Sequence, residues 1–113
     1  MMLRHRHELD LSPQQIQDLE NLRHGYQRDA IRYEADTRIG EMDLERLLRT
    51  DPVDLEEVEA KLREIENIKV ELRLARIRAI EQGKALLSPE QQEKLEALFA
   101  ESQYSRHSSP PTD

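Results

Sequence analysis

From Ile16 onward, apolar or small side chains recur in alternating steps of three and four: Ile16, Leu19, Tyr26, Ala30, Tyr33, Thr37, Gly40, Leu44 and Leu47. Only Arg23 clearly breaks the stripe. That spacing keeps one side of an α-helix apolar along its length, so the pattern predicts one helix from Pro13 to about Arg49. At ~1.5 Å per residue it would run roughly 55 Å. Leu11-Ser12-Pro13-Gln14-Gln15 supplies its start, with Ser12 as N-cap, Pro13 at the first helical position and Gln15 closing a capping box. Gly25 and Gly40 are each about 1 kcal/mol less favourable than Ala inside a helix, which points to close packing or a bend there.

Thr50-Asp51-Pro52-Val53-Asp54 interrupts the pattern. Pro52 disfavours helical geometry at Asp51, and Asp54 is placed to cap a second helix with Glu57 three residues on. That helix uses Leu55, Val58, Leu62, Ile65, Ile68, Leu72, Ala75, Ala79, Gln82 and Leu86, with a register shift expected at the three-residue step from Ile65 to Ile68. A short connection between two long amphipathic helices predicts antiparallel packing. Leu87-Ser88-Pro89-Glu90-Gln91 then repeats the opening signature and starts a shorter helix, apolar at Leu95, Leu98 and Phe99 and ending near Gln103. The expected fold is all-α: a long antiparallel helical hairpin plus a shorter C-terminal helix over residues 11–103. A flexible lead is expected at 1–10 and a disordered tail at 104–113, where Ser-Ser-Pro-Pro offers no apolar anchor.

Composition adds an expectation about assembly. With 113 residues, one Phe and no Trp, a lone chain of this architecture has a thin core, so a homodimer is expected. The net charge of −7 argues against nucleic acid as a partner, which needs a clustered basic footprint. Residues 51–67 carry seven acidic and two basic groups, whereas 68–86 carry two acidic and five basic. Two copies of the second helix crossing antiparallel near Ile68 would set acidic against basic halves, favouring orientation more than strength. The chain has no cysteine, which excludes disulfides and thiolate metal sites. Met1–Asp10 has no signal-type apolar run and no segment approaches the ~20 apolar residues of a spanning helix, so no signal peptide is visible and no direct membrane insertion is expected in this segment; either a cytosolic protein or a trimmed targeting segment would account for that.

A second apolar stripe lies on each long helix, opposite the seam at 100° per residue. It comprises Ile31, Ala35, Ile39 and Met42 on the first helix and Val70, Leu74 and Ile77 on the second, edged by Arg28, Arg32, Arg38, Arg73, Arg76 and Arg78. A hairpin cannot bury both faces, so these residues are candidates for a dimer contact or for a surface that holds unfolded or partly folded polypeptide. Candidate transition-metal ligands are His5 and His7 in the lead, and Glu20 with His24 one helical turn later. A lone helical histidine beside a carboxylate is more often a surface ion pair. Catalysis is not expected, because Ser12 and Ser88 are explained as caps and there is neither a cysteine nucleophile nor a phosphate-cradling glycine loop.

The two signatures, Leu11, Ser12, Pro13, Gln15 and Leu87, Ser88, Pro89, Gln91, bracket a helical hairpin and resemble the LTxxQ pattern of the Spy/CpxP family and the related CnrX/ZraP heavy-metal-resistance proteins. Serine stands where that family often has threonine, which keeps the capping oxygen. The resemblance covers about residues 9–103. It implies a periplasmic, cradle-like antiparallel homodimer with no catalytic site, acting as an ATP-independent chaperone or an envelope-stress modulator bound to a sensor-kinase or sigma-regulatory partner. A metal sensor or metal-resistance protein of the CnrX/ZraP type is the alternative the resemblance offers, and a structural helical adaptor is a second. Metal-sensing relatives carry His-x-x-x-His early in the first long helix, and Arg28 stands where the second histidine would fall after His24.

Overall fold

Helices begin and end in this chain where side chains can take over the backbone groups that a helix terminus leaves unpaired. The computed structural model describes the backbone of residues 2–107 and the side chains of residues 2–100. Helix α1 spans Pro13–Arg49, α2 Leu55–Ala85 and α3 Pro89–His107, preceded by a 3-10 turn at Leu3–His5. Among the described residues there is no strand. At the start of α2 the Asp54 carboxylate accepts the N–H groups of Glu56 (3.1 Å) and Glu57 (3.2 Å). At the end of α1 the Thr50 hydroxyl donates to the Arg46 carbonyl at 3.2 Å.

The chain forms two compact units, Arg23–Ile80 and Met1–Leu22 with Glu81–Asp113. In Arg23–Ile80, α1 and α2 pack antiparallel, Asp43 facing Lys61 and Gly40 facing Ile65. Ile65 is 1% exposed, and a Cβ on Gly40 would lie 2.8 Å from its Cγ1, so glycine is what lets the two helices approach there. Tyr26, Ala30, Tyr33, Thr37, Leu44 and Leu47 are all half-buried along the α1 seam, and Arg23 is exposed.

The α2 seam differs from the one expected. Leu62 is 45% exposed and Leu55 75%, and Gln82 and Leu86 are also exposed, whereas Lys61 is only 21% exposed. With Lys61 in place of Leu62, the inward positions Val58, Lys61, Ile65, Ile68, Leu72, Ala75 and Ala79 keep an unbroken three-four alternation, and no register shift occurs at Ile68. Lys61 fits because its methylene stem covers apolar surface while its ammonium reaches Asp43 at 3.6 Å and Glu64 at 2.9 Å. The hydrogen bond to Glu64 raises the Lys61 pKa above the ordinary 10.5, against a smaller opposing effect of desolvation and with further help from the charges of Glu64 and Asp43.

In Met1–Leu22 with Glu81–Asp113 the core is Leu9, Leu87 and Leu95, with Met2, Leu11, Leu98 and Phe99 packed against it. Leu19 is buried beside Gly83, where an added Cβ would also meet Met2 Cε at 2.8 Å. Residues 2–10, expected as a flexible lead, therefore fold onto α3 and the end of α2. Leu9 is fully buried and Leu3 nearly so, and apolar side chains that the helix-period pattern could not place account for the difference. The expected tail at 104–113 divides: α3 continues through His107, and residues 108–113 lie outside the described residues.

Candidate functional site

Each Leu-Ser-Pro-x-Gln segment forms a reciprocal capping box. The Ser12 hydroxyl accepts the Gln15 N–H at 3.1 Å, and the Gln15 side-chain carbonyl accepts the Ser12 N–H at 2.9 Å. Ser88 and Gln91 repeat the arrangement at 3.2 and 2.9 Å. A glutamine in this role, unlike a glutamate, still has its amide N–H groups to give. Both glutamines spend them across the chain. Gln15 Nε2 donates to the Leu86 carbonyl (3.0 Å) and to Gln91 Oε1 (2.8 Å). Gln91 Nε2 donates to the carbonyls of Leu9 (3.1 Å) and Asp10 (3.2 Å) and lies 3.1 Å from Gln15 Oε1. Two helix starts separated by 76 positions are thus tied amide to amide, and each also holds the backbone that leads into the other. Gln92 closes the corner by donating to the carbonyls of Lys84 (2.8 Å) and Leu87 (3.2 Å).

The capping role of Ser12, Gln15, Ser88 and Gln91 follows from sequence spacing, but the meeting of the two glutamines does not. Sequence spacing likewise gives no role to Leu9, Met2 or Gly83. The sequence hints only that the amides have a further use, not with what: Gln occupies the third helical position twice, where Glu would cap as well and complement the helix dipole better.

Within Arg23–Ile80 the outer stripe remains uncovered. Ile31 is 67% exposed, Met42 61% and Ile77 53%, and Ala35, Ile39, Val70 and Leu74 are exposed as well. Arg28, Arg32, Arg38, Arg73, Arg76 and Arg78 are all exposed on the same unit. Arg32 leans back on its own helix, 3.4 Å from Asp29 and over the Tyr33 ring at 5.3 Å. Leu48, Leu55 and Leu62 add exposed apolar surface that the stripe did not include.

The candidate metal ligands do not converge. His5 hydrogen-bonds to Glu8, His7 and His24 are exposed, and Glu20 is half-buried on α1. Among the described residues no group of three His, Cys, Asp or Glu side chains is placed to hold a metal ion.

Among the described residues, three α-helices, two of them long and packed together, with paired serine-glutamine helix starts joined through their amides, define a small helical-hairpin protein whose signature is structural. A family model described as "LTXXQ motif family protein" matches residues 3–99, and the chain belongs to that family. No curated protein matches the chain, and no solved structure does. No helix of the described residues is long and apolar enough to cross a membrane.

Proposed function

We propose that this chain is a periplasmic, Spy/CpxP-like accessory protein that binds unfolded or partly folded polypeptide through its outer stripe and acts as a homodimer. The observation that carries this reading is the exposure of Ile31, Ile39, Met42, Val70 and Ile77 on one compact unit, interspersed with arginines. Large apolar side chains kept at the surface in rows have a partner in most proteins, since covering each gains a fraction of the ~1.5–3 kcal/mol of full burial. Arginine stems extend that apolar surface, and their guanidinium groups pair with the carboxylates and carbonyls of a client. Such contacts are individually weak and indifferent to sequence, which suits clients that share only being unfolded. Membership of the LTXXQ family supports the periplasmic setting.

The test is aggregation of a chemically unfolded client without ATP. Wild-type protein should suppress light scattering at near-stoichiometric amounts. Leu74→Glu and Ile39→Glu should lose most of that effect at unchanged helicity. Equal suppression by wild type and both variants would remove the stripe from the reading. No suppression by wild type, together with a rise in melting temperature on adding zinc, nickel or cobalt, would replace it with the metal-responsive alternative.

A further inference from the structure

We infer that residues 2–11 are a displaceable strap lying in a peptide-binding groove on α3 and the end of α2, and that the opened groove takes an apolar segment of an unfolded polypeptide. The strap already displays what the groove recognises. Leu9 is fully buried among Leu87 and Leu95, with Met2 and Leu11 beside it and Leu98 and Phe99 completing the wall. Met2 sits against Gly83, where a Cβ would come within 2.8 Å of its methyl carbon, so the groove is shaped to admit a long side chain at that point. The polar anchor is the Gln91 amide, which donates to the main-chain carbonyls of Leu9 and Asp10. A leucine-sized side chain and two successive carbonyls are features that almost any apolar peptide segment offers.

The way the strap is held suits release. Its own hydrogen bonds are local, Leu9 N–H to the His5 carbonyl (2.9 Å), Arg6 Nε to the Leu3 carbonyl (3.1 Å) and His5 to Glu8, so they can leave with it. Asp10, at its exit, holds a φ of 57°, a left-handed turn that aspartate adopts more readily than most residues with a Cβ and that sets the strap off from the start of α1. When the strap leaves, Gln91 keeps Gln15 as a partner, so no amide is stranded. This groove belongs to the unit Met1–Leu22 with Glu81–Asp113 and the outer stripe to Arg23–Ile80, so either site can fail without the other.

The test uses full-length chain and a fluorescent, N-acetylated peptide of residues 2–11 as probe. A Leu3→Ser/Leu9→Ser variant should bind the peptide at least tenfold more tightly than wild type, whose own strap competes. The same peptide carrying Leu9→Ser should bind neither protein. A variant that keeps its helical circular dichroism yet gains no binding overturns the proposal. Should that variant unfold, amide exchange in wild type decides: the N–H groups of Leu9 and Leu11 should exchange at least a hundredfold faster than those around Leu19, and equal protection overturns the strap.

Discussion

Replacing Gln91 by Glu separates two roles that the capping pattern alone merges. If Gln91 only caps α3, Glu is an equal or better choice, since it still accepts the Ser88 N–H and its charge gains about 0.3–1 kcal/mol from the helix dipole. In the structure, however, the atom that would become the second carboxylate oxygen is Nε2, facing the carbonyl oxygens of Leu9 and Asp10 and the amide oxygen of Gln15, all within 3.2 Å. The substitution removes donors worth roughly 1 kcal/mol each and sets oxygen against oxygen, partly relieved by water because Gln91 is only half-buried. A net loss of about 2 kcal/mol follows, equivalent to a fall in Tm of about 8 °C for a chain of this size. Thermal melting by circular dichroism at pH 7 reads it directly. Below the usual glutamate pKa of about 4.3 the protonated acid regains a donor, so the gap to wild type should narrow. A Gln91→Glu protein melting at or above wild type would refute the amide junction and leave capping as the whole role.

Other expectations follow from the helix seam and its charges. Gly40→Ala should destabilise by about 1–2 kcal/mol, because the added methyl lands on Ile65 and overpacking outweighs the better helix propensity. Gly25→Ala, with open space at its Cβ, should stabilise by about 1 kcal/mol in the same denaturant titration. Because folded Lys61 holds its proton above the ordinary 10.5, its contribution should be complete below that pH and fade as pH rises through the folded value. The stability difference between wild type and Lys61→Met should therefore stay level through neutral pH and shrink under alkaline conditions, and a constant difference throughout would count against the ion pair. Ser88→Ala should cost about 1 kcal/mol as a lost N-cap, readable in the same melts.

Much of the fold is legible in the sequence because local chemistry sets it. Pro13 and Leu55 begin their helices where Ser12 and Asp54 can cap them, and the α1 seam follows the three-four pattern except at the exposed Arg23. The α2 seam is less legible because a search for apolar residues skips Lys61, whose stem packs inward while its charge finds Asp43. The junction of Gln15 with Gln91 is a contact across 76 positions, and nothing in either pentapeptide specifies the other as its partner. The lead escaped for a related reason. Leu3 and Leu9 follow no helical period, and only tertiary packing buries them, Leu9 against Leu87 and Leu95. The outer stripe, by contrast, was visible as a helical period opposite the seam, and its side chains remain exposed.

The most direct measurement is a methyl-resolved NMR titration of the isotope-labelled protein with an unfolded client. Polypeptide binding at the outer stripe predicts shifts and broadening at the methyls of Ile31, Ile39, Met42, Leu74 and Ile77, while the buried methyls of Ile65 stay in place. Perturbation confined to other methyls, or none at saturating client, would contradict it.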